Sequence, residues 1–207
     1  MFVQHSLFDI SCEQASVPNF IQTVLEEGAE LAVSMSGGKD SDAMLRFLSK
    51  QYRENDWQGN LFALFCDLGR IEWLGVSEHL RRLCTKLDVP LFKLYPARPM
   101  IDEWQRRHET LLAKQQEKPF WSSASARYCT KHEKVQPSDK FLRQYDFVVC
   151  AIGLRAEESC ARAKKPRYQV RNDIASVWYK TPASCKSATE KEAWAEQAYQ
   201  HWLNSGR

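Results

Sequence analysis

The segment Ser36-Gly37-Gly38-Lys39-Asp40-Ser41 is the part of this chain best supplied for chemistry on an anion. Two adjacent glycines let the backbone turn sharply and bring its N–H groups close to a ligand. A helix starting there would aim the positive end of its dipole at the same spot. Ser36 and Ser41 add hydroxyl donors, Lys39 adds a cation, and Ser34 stands just before the loop. Asp40 and Asp42 would fall in the first helical turn, where carboxylates favour the dipole and could help hold a metal. The spacing is not the G-x-x-x-x-G-K-[ST] of a Walker loop. A plain Gly-Gly turn with a helix cap accounts for the glycines equally well, so other residues must decide.

Two further stretches carry reactive side chains. Arg155 could make a bidentate contact to phosphate or simply pair with Glu157 or Glu158, and Glu158 could orient Arg155 or Arg127. Beyond it, Arg162, Lys164, Lys165, Arg167 and Arg171 could follow a phosphate backbone or form a solvated loop. Cys129 stands among Arg127, Lys131 and His132, a setting that lowers a thiol pKa. It could carry sulfur, ligate a cluster or pack. With Cys160 and Cys185 it could supply three ligands to an iron–sulfur cluster, although the spacing fits no compact cluster pattern. Cys66 and Cys150 fall within apolar runs and read as small core residues.

The elements that must position these groups follow from hydrophobic periodicity. Residues 18–27 predict a helix stopped by Gly28, and Leu31–Met35 has strand length and runs straight into the glycine loop. A helical pattern with Met44, Leu45, Leu48 and Tyr52 follows. Leu61–Cys66 predicts a second buried strand, closed by Asp67-Leu68-Gly69. Trp73, Val76, Leu80, Leu83 and Leu87 then form one stripe of a helix. A third strand is expected over 90–94, a polar helix over 101–116, a loop over 117–134, a helix over 138–144 and a fourth strand over 146–152. The last helix is expected to begin at a capping box of Thr189 and Glu192. Uniformly apolar strands alternating with helices predict an α/β fold, a doubly wound and mostly parallel sheet covered on both faces. Ligands of such sheets lie at the carboxyl ends of the strands.

Composition narrows the field. The chain has 207 residues, long enough for one domain with its own core. Seven scattered cysteines (with Cys12 and Cys84 beside those above) and no C-x-x-C fit reduced thiols better than a disulfide or zinc framework. No run approaches a membrane span, and Met1–His5 lacks the basic and apolar parts of a secretory signal, so a cytoplasmic location without membrane contact is expected. The formal net charge is +3, and residues 155–171 hold six basic and two acidic residues, so the excess lies beside the candidate chemistry.

Three segments carry a resemblance to a known family. Ser36–Ser41 resembles the S-G-G-x-D-S pyrophosphate loop of the adenine nucleotide alpha-hydrolase superfamily, the PP-loop ATP pyrophosphatases. Residues 153–162 resemble the G-[IL]-R-x-x-E-S-x-x-R signature of its phosphoadenosine-phosphosulfate (PAPS) reductase-like branch. Arg127-Tyr128-Cys129-Thr130-Lys131 and Lys134–Pro137 are similar to that branch's R-[WY]-C-T…K-x-x-P segment, which sets Lys134 apart from its solvated neighbours.

The resemblance implies a nucleotide domain over 1–207, with 163–207 as an extension, and ATP or an adenylyl-sulfate nucleotide bound with Mg²⁺. Ser34, Ser36, Gly37, Gly38, Lys39, Asp40, Ser41, Asp67, Gly153 and Arg155 would hold the nucleotide. Lys39, Arg155 and Arg162 would stabilise departing pyrophosphate, Cys129 would take a catalytic part, and Asp40 or Asp42 would attend the metal. Arg127, Lys134, Glu158, Lys164 and Lys165 would face the substrate. Asp67 matches the aspartate of the family's V-D-T-G, with Leu68 in place of Thr.

The E-C-G-L-H tail of the true reductases is missing, and Cys129 stands where cluster-bearing relatives have a cysteine pair. The expected activity is therefore adenylylation of an acceptor for sulfur transfer, as in DNA phosphorothioation or tRNA thiolation. A cysteine desulfurase would be the sulfur donor, and the enzyme could be a homodimer. A thiol-dependent sulfonucleotide reductase and a non-catalytic nucleotide-binding subunit are the alternatives.

Overall fold

The computed structural model of the chain describes residues 16–121 and 130–205. Cys12, Ser122–Ser125, Arg127 and Cys129 therefore lie outside the described residues. Among those described, four strands form one sheet: β1 (Glu30–Met35), β2 (Leu61–Cys66), β3 (Leu91–Leu94) and β4 (Val148–Ile152). The order is β3-β2-β1-β4 and every pairing is parallel. Seven helices accompany it: α1 (Asn19–Glu26), α2 (Lys39–Glu54), α3 (Val76–Lys86), α4 (Met100–Ala113), α5 (Gln136–Leu142), α6 (Cys160–Ala163) and α7 (Ala188–Asn204). The chain is an α/β protein of the doubly wound kind.

The two central strands show why both faces must be covered. Leu31, Val33 and Met35 of β1, with Leu61, Ala63 and Phe65 of β2, join one buried cluster with Leu45 of α2 and Leu80 and Leu83 of α3. Their alternates Ala32, Phe62 and Leu64 join a second cluster with Leu142 of α5. With a strand period of two, an all-apolar strand supplies both layers. The chain steps outward from β1 to β2 to β3, then returns across the sheet to place β4 on the other side of β1. The winding thus reverses at β1, and the crevice at the carboxyl ends of β1 and β4 is the topological switch point.

Several elements differ from expectation. Trp73 stands outside α3 and is 84% exposed, because Gly75 at φ 87 breaks the chain just before Val76 and restarts it as a helix. Residues 130–135 form a helical turn of π type instead of loop, continuous with α5. The capping box of α7 is built by Ser187 and Glu190, two residues earlier than Thr189 and Glu192. Both pairs have the same spacing, and Ser187 prevails because its backbone is extended and its hydroxyl accepts from the Glu190 N–H. Cys150 is half-buried and packs on the second cluster opposite Ala32, whereas Cys66 is half-buried at the carboxyl end of β2.

Candidate functional site

Strand β1 ends at Met35 and α2 begins at Lys39, so three residues carry the turn. Gly37 makes it in the left-handed region at φ 73, and a Cβ there would come within 2.6 Å of Val76 Cγ1. A larger residue would need both the left-handed backbone and displacement of the Val76 side chain. The loop is braced from inside: the Ser41 hydroxyl donates to the Gly38 carbonyl at 2.8 Å, and its oxygen accepts from the Ser36 N–H at 3.3 Å. Ser41 is buried, whereas Ser36, Gly38 and Lys39 are exposed. The leading N–H groups of α2 have no carbonyl a turn earlier to bind, so they face solvent as an anion cradle topped by Lys39. Ser34, inside β1 opposite Leu64 and Ile152, is a half-buried strand residue two positions before the loop.

β4 lies beside β1 in register, which brings the segment after it to the same edge. A Cβ on Gly153 would sit 3.9 Å from the Asp40 carbonyl carbon and from the Ser41 nitrogen. Two residues on, the Arg155 guanidinium reaches Asp40 Oδ2 at 3.2 Å through Nε and Glu158 Oε1 at 3.2 Å through Nη2. Glu158 is shared with Arg162, which lies in the turn capped by the Ser159 hydroxyl. The order Asp40–Arg155–Glu158–Arg162 is thus a continuous chain of alternating charge laid over the start of α2. These pairs are open to water, so they contribute little stability. Their consequence is geometric, because they fix the Arg155 guanidinium beside the loop and tie Arg162 to it through Glu158.

Asp67 closes β2 at the same edge and is fixed by two donors. Lys93 Nζ of β3 lies 2.6 Å from Oδ2, and the Gly69 N–H donates to Oδ1 at 2.8 Å. Burial pushes this carboxyl up, but the Lys93 bond, the Gly69 N–H and the Lys93 charge outweigh it and bring it below the ordinary range. Asp42 is spoken for elsewhere: its Oδ2 is 2.6 Å from His79 Nε2 on α3. Lys134 is exposed, and its carbonyl accepts from the Cys66 thiol at 3.4 Å, with Ser138 Oγ 3.3 Å away. Burial raises the Cys66 thiol pKa.

The basic run after α6 divides. Lys164 and Lys165 are exposed. Arg171 turns inward to the buried Asp139, with Cys150 Sγ at 3.8 Å, so it is not part of a solvated strip. Arg167 is tied to α7 through its backbone N–H, which donates to Glu192 at 2.6 Å. Among the described residues no three His, Cys, Asp or Glu side chains converge as a metal site would require. Cys160 and Cys185 are separate thiols. Lys93 and His79 escape a reading of the sequence, because only strand register and helix packing reveal what they touch.

A sequence model of the phosphoadenosine phosphosulfate reductase domain matches residues 30–196. The chain belongs to that family. With it comes membership of the adenine nucleotide alpha-hydrolase superfamily. The match begins at the first residue of β1 and takes in the loop, the Gly153–Arg162 segment and half of α7. No curated protein matches the chain. Among the described residues no helix is long and apolar enough to cross a membrane.

Proposed function

We propose that this PAPS reductase-family protein is a PP-loop ATP pyrophosphatase that adenylylates an acceptor oxygen so that sulfur can replace it. The observation that carries the reading is the meeting of two motifs more than a hundred residues apart: Arg155 on Asp40, with Gly153 packed against the first turn of α2. A Gly-Gly turn that merely capped a helix would not need a guanidinium delivered from the segment after another strand.

The residues fit a triphosphate. The backbone N–H groups at Gly38, Lys39 and Asp40 would hold the β- and γ-phosphates, with Ser36 as a hydroxyl donor. Ser41, which spends its proton on Gly38, keeps the loop in shape. Asp67, held by Lys93 at the next strand end, would meet the nucleoside. The acceptor oxygen would attack the α-phosphorus, the bond from that phosphorus to the bridging oxygen would break, and pyrophosphate would leave with the electron pair. Lys39, Arg155 and Arg162 meet the charge that builds there. Mg²⁺ entering with the nucleotide would add Lewis-acid screening of the phosphates, and Asp40 is the nearest carboxylate of the loop. The terminal sulfur of a cysteine desulfurase's persulfide would then attack the activated centre, and AMP would leave with the oxygen. Two equivalents of free thiol, here cysteine, would reduce the resulting disulfide to the thiolated acceptor and the desulfurase thiol, with formation of cystine. Lys164 and Lys165 would meet a nucleic-acid acceptor.

The test combines the protein with ATP, Mg²⁺, cysteine, a desulfurase and either DNA or tRNA, followed by mass spectrometry of the digested nucleic acid. A phosphorothioate or thionucleoside made together with pyrophosphate is expected. Intact ATP and unmodified nucleic acid in both arms overturn the reading. The family's own description favours a second reading, sulfonucleotide reduction by a thiol. Cys129→Ser and Cys185→Ser variants with undiminished turnover would dismiss it.

A further inference from the structure

One feature of the loop's surroundings lies outside the chemistry assigned above. The first two turns of α3 bear on the glycine loop at two points. Val76 Cγ1 occupies the space beside Gly37, and His79 grips Asp42 in the first turn of α2. Asp42 is only 17% exposed, its Oδ2 is held by the imidazole, and its Oδ1 is buried without a hydrogen-bond partner. The neighbouring acid on α3, Glu78, is taken up by Arg81 and Arg82 at 2.7–2.8 Å, so Asp42 is the carboxylate that His79 serves. Asp42 also lies close enough to raise the thiol pKa of Cys84, which burial already lifts, to about 11. The carboxylate is therefore directed into the α2–α3 contact, away from the mouth of the loop.

We infer that His79 is a positioning residue for the nucleotide site, acting through Asp42 to lock the first turn of α2 against α3. The inference rests on the reading of the loop as a phosphate cradle. Without the imidazole, a largely buried carboxylate loses its one partner, and the cheapest remedy is for the first turn of α2 to swing until water reaches it. That turn presents the N–H groups of the cradle. A displacement of about 1 Å among positioned groups is enough for a loss on the order of 10²-fold. Val76 limits the swing toward α3, since Gly37 has no room to move into it. The loop is thus held from both sides, by its own Ser41 brace and by α3.

The experiment is calorimetric titration of ATP with Mg²⁺ into wild type, His79→Ala, His79→Gln, Asp42→Ala and the double His79→Ala/Asp42→Ala variant. His79→Ala should weaken ATP binding by about 10- to 100-fold. His79→Gln still offers a donor near the Nε2 position and should restore affinity to within about threefold of wild type. Asp42→Ala breaks the link without stranding a charge, so it reports even where His79→Ala does not fold. It should weaken binding similarly, and the double variant should add nothing further. A wild-type protein that does not bind ATP defeats the nucleotide reading itself. ATP binding that is equally tight in wild type, His79→Ala and Asp42→Ala leaves that reading standing and overturns the role of His79.

Discussion

Arg155 joins the glycine loop to the segment after β4 through Asp40 and Glu158. Exchange of its two separate carboxylate partners for the oxygens of one phosphate would let Nε and Nη2 grip that phosphate side by side. Arg155→Ala and Lys39→Ala should each lower the rate of pyrophosphate release by about 10²- to 10³-fold, the usual effect of removing one transition-state donor. Both side chains are exposed, so thermal unfolding should shift by no more than a degree or two, as measured by calorimetry. At this scale the glycine turn and the approach of Arg155 to it follow from residue type and spacing, whereas Asp67 is marked only by its resemblance to the aspartate of V-D-T-G. Lys93 and His79 were not legible, since a lysine in a short strand and a histidine on a helix carry no mark of the carboxylates they meet. Arg171 was misleading for the same reason: its neighbours in sequence are basic, but its partner is Asp139, 32 residues away.

Among the elements, the turn over 130–135 is the least comfortable. Glu133 is 1% exposed and neither carboxylate oxygen has a hydrogen-bond partner. Burial raises its pKa above 4.5, with the nearby charge of His132 opposing and that of Glu103 adding to the rise. Glu103 itself is held down at about 2, chiefly by its hydrogen bond from Arg106. A carboxyl harder to ionise in the fold than in the unfolded chain brings no penalty below pH 4.5 and a growing one as pH rises past it. The stability difference between Glu133→Gln and wild type should therefore favour the variant more at pH 7 than at pH 4 in denaturant titrations. A difference independent of pH would contradict this.

The start of α7 gives a second test at the same scale. Ser187→Ala removes the observed cap and should destabilise the protein by about 1 kcal/mol, while Thr189→Ala should change little. The periodicity of the helices was readable, but their first residues were not. S-x-x-E and T-x-x-E look alike until the backbone chooses one. Gly75 was likewise silent about ending the loop where it does, so the Trp73 stripe ran one turn too far toward the N-terminus.

Across the molecule, the strand order explains why chemistry gathers where it does. β1 and β4 are neighbours only because the chain recrosses the sheet, and this sets the Ser36–Ser41 loop beside Gly153–Arg162. A cavity of about 510 Å³ opens at the opposite, amino edge, lined by Glu30, Tyr145, Phe147 and Trp202 among others, and it meets none of the candidate site residues. The fold class was visible in the sequence because the apolar β2 feeds both faces and strands alternate with helices, the pattern of a covered parallel sheet. The order β3-β2-β1-β4 was not, since nothing local says on which side β4 returns. Lys164 and Lys165 extend the positive edge outward, so replacing both with Ala should reduce the salt slope of nucleic-acid binding by about two. An unchanged slope would place any nucleic acid elsewhere.

The central claim is that the carboxyl edge breaks ATP between the α- and β-phosphates. Incubating the protein with Mg²⁺, acceptor and ATP labelled at the α-phosphorus tests it most directly. The account predicts unlabelled pyrophosphate, label in adenylate, and loss of both in Lys39→Ala. Release of the γ-phosphate alone, or cleavage that Lys39→Ala leaves untouched, would contradict it.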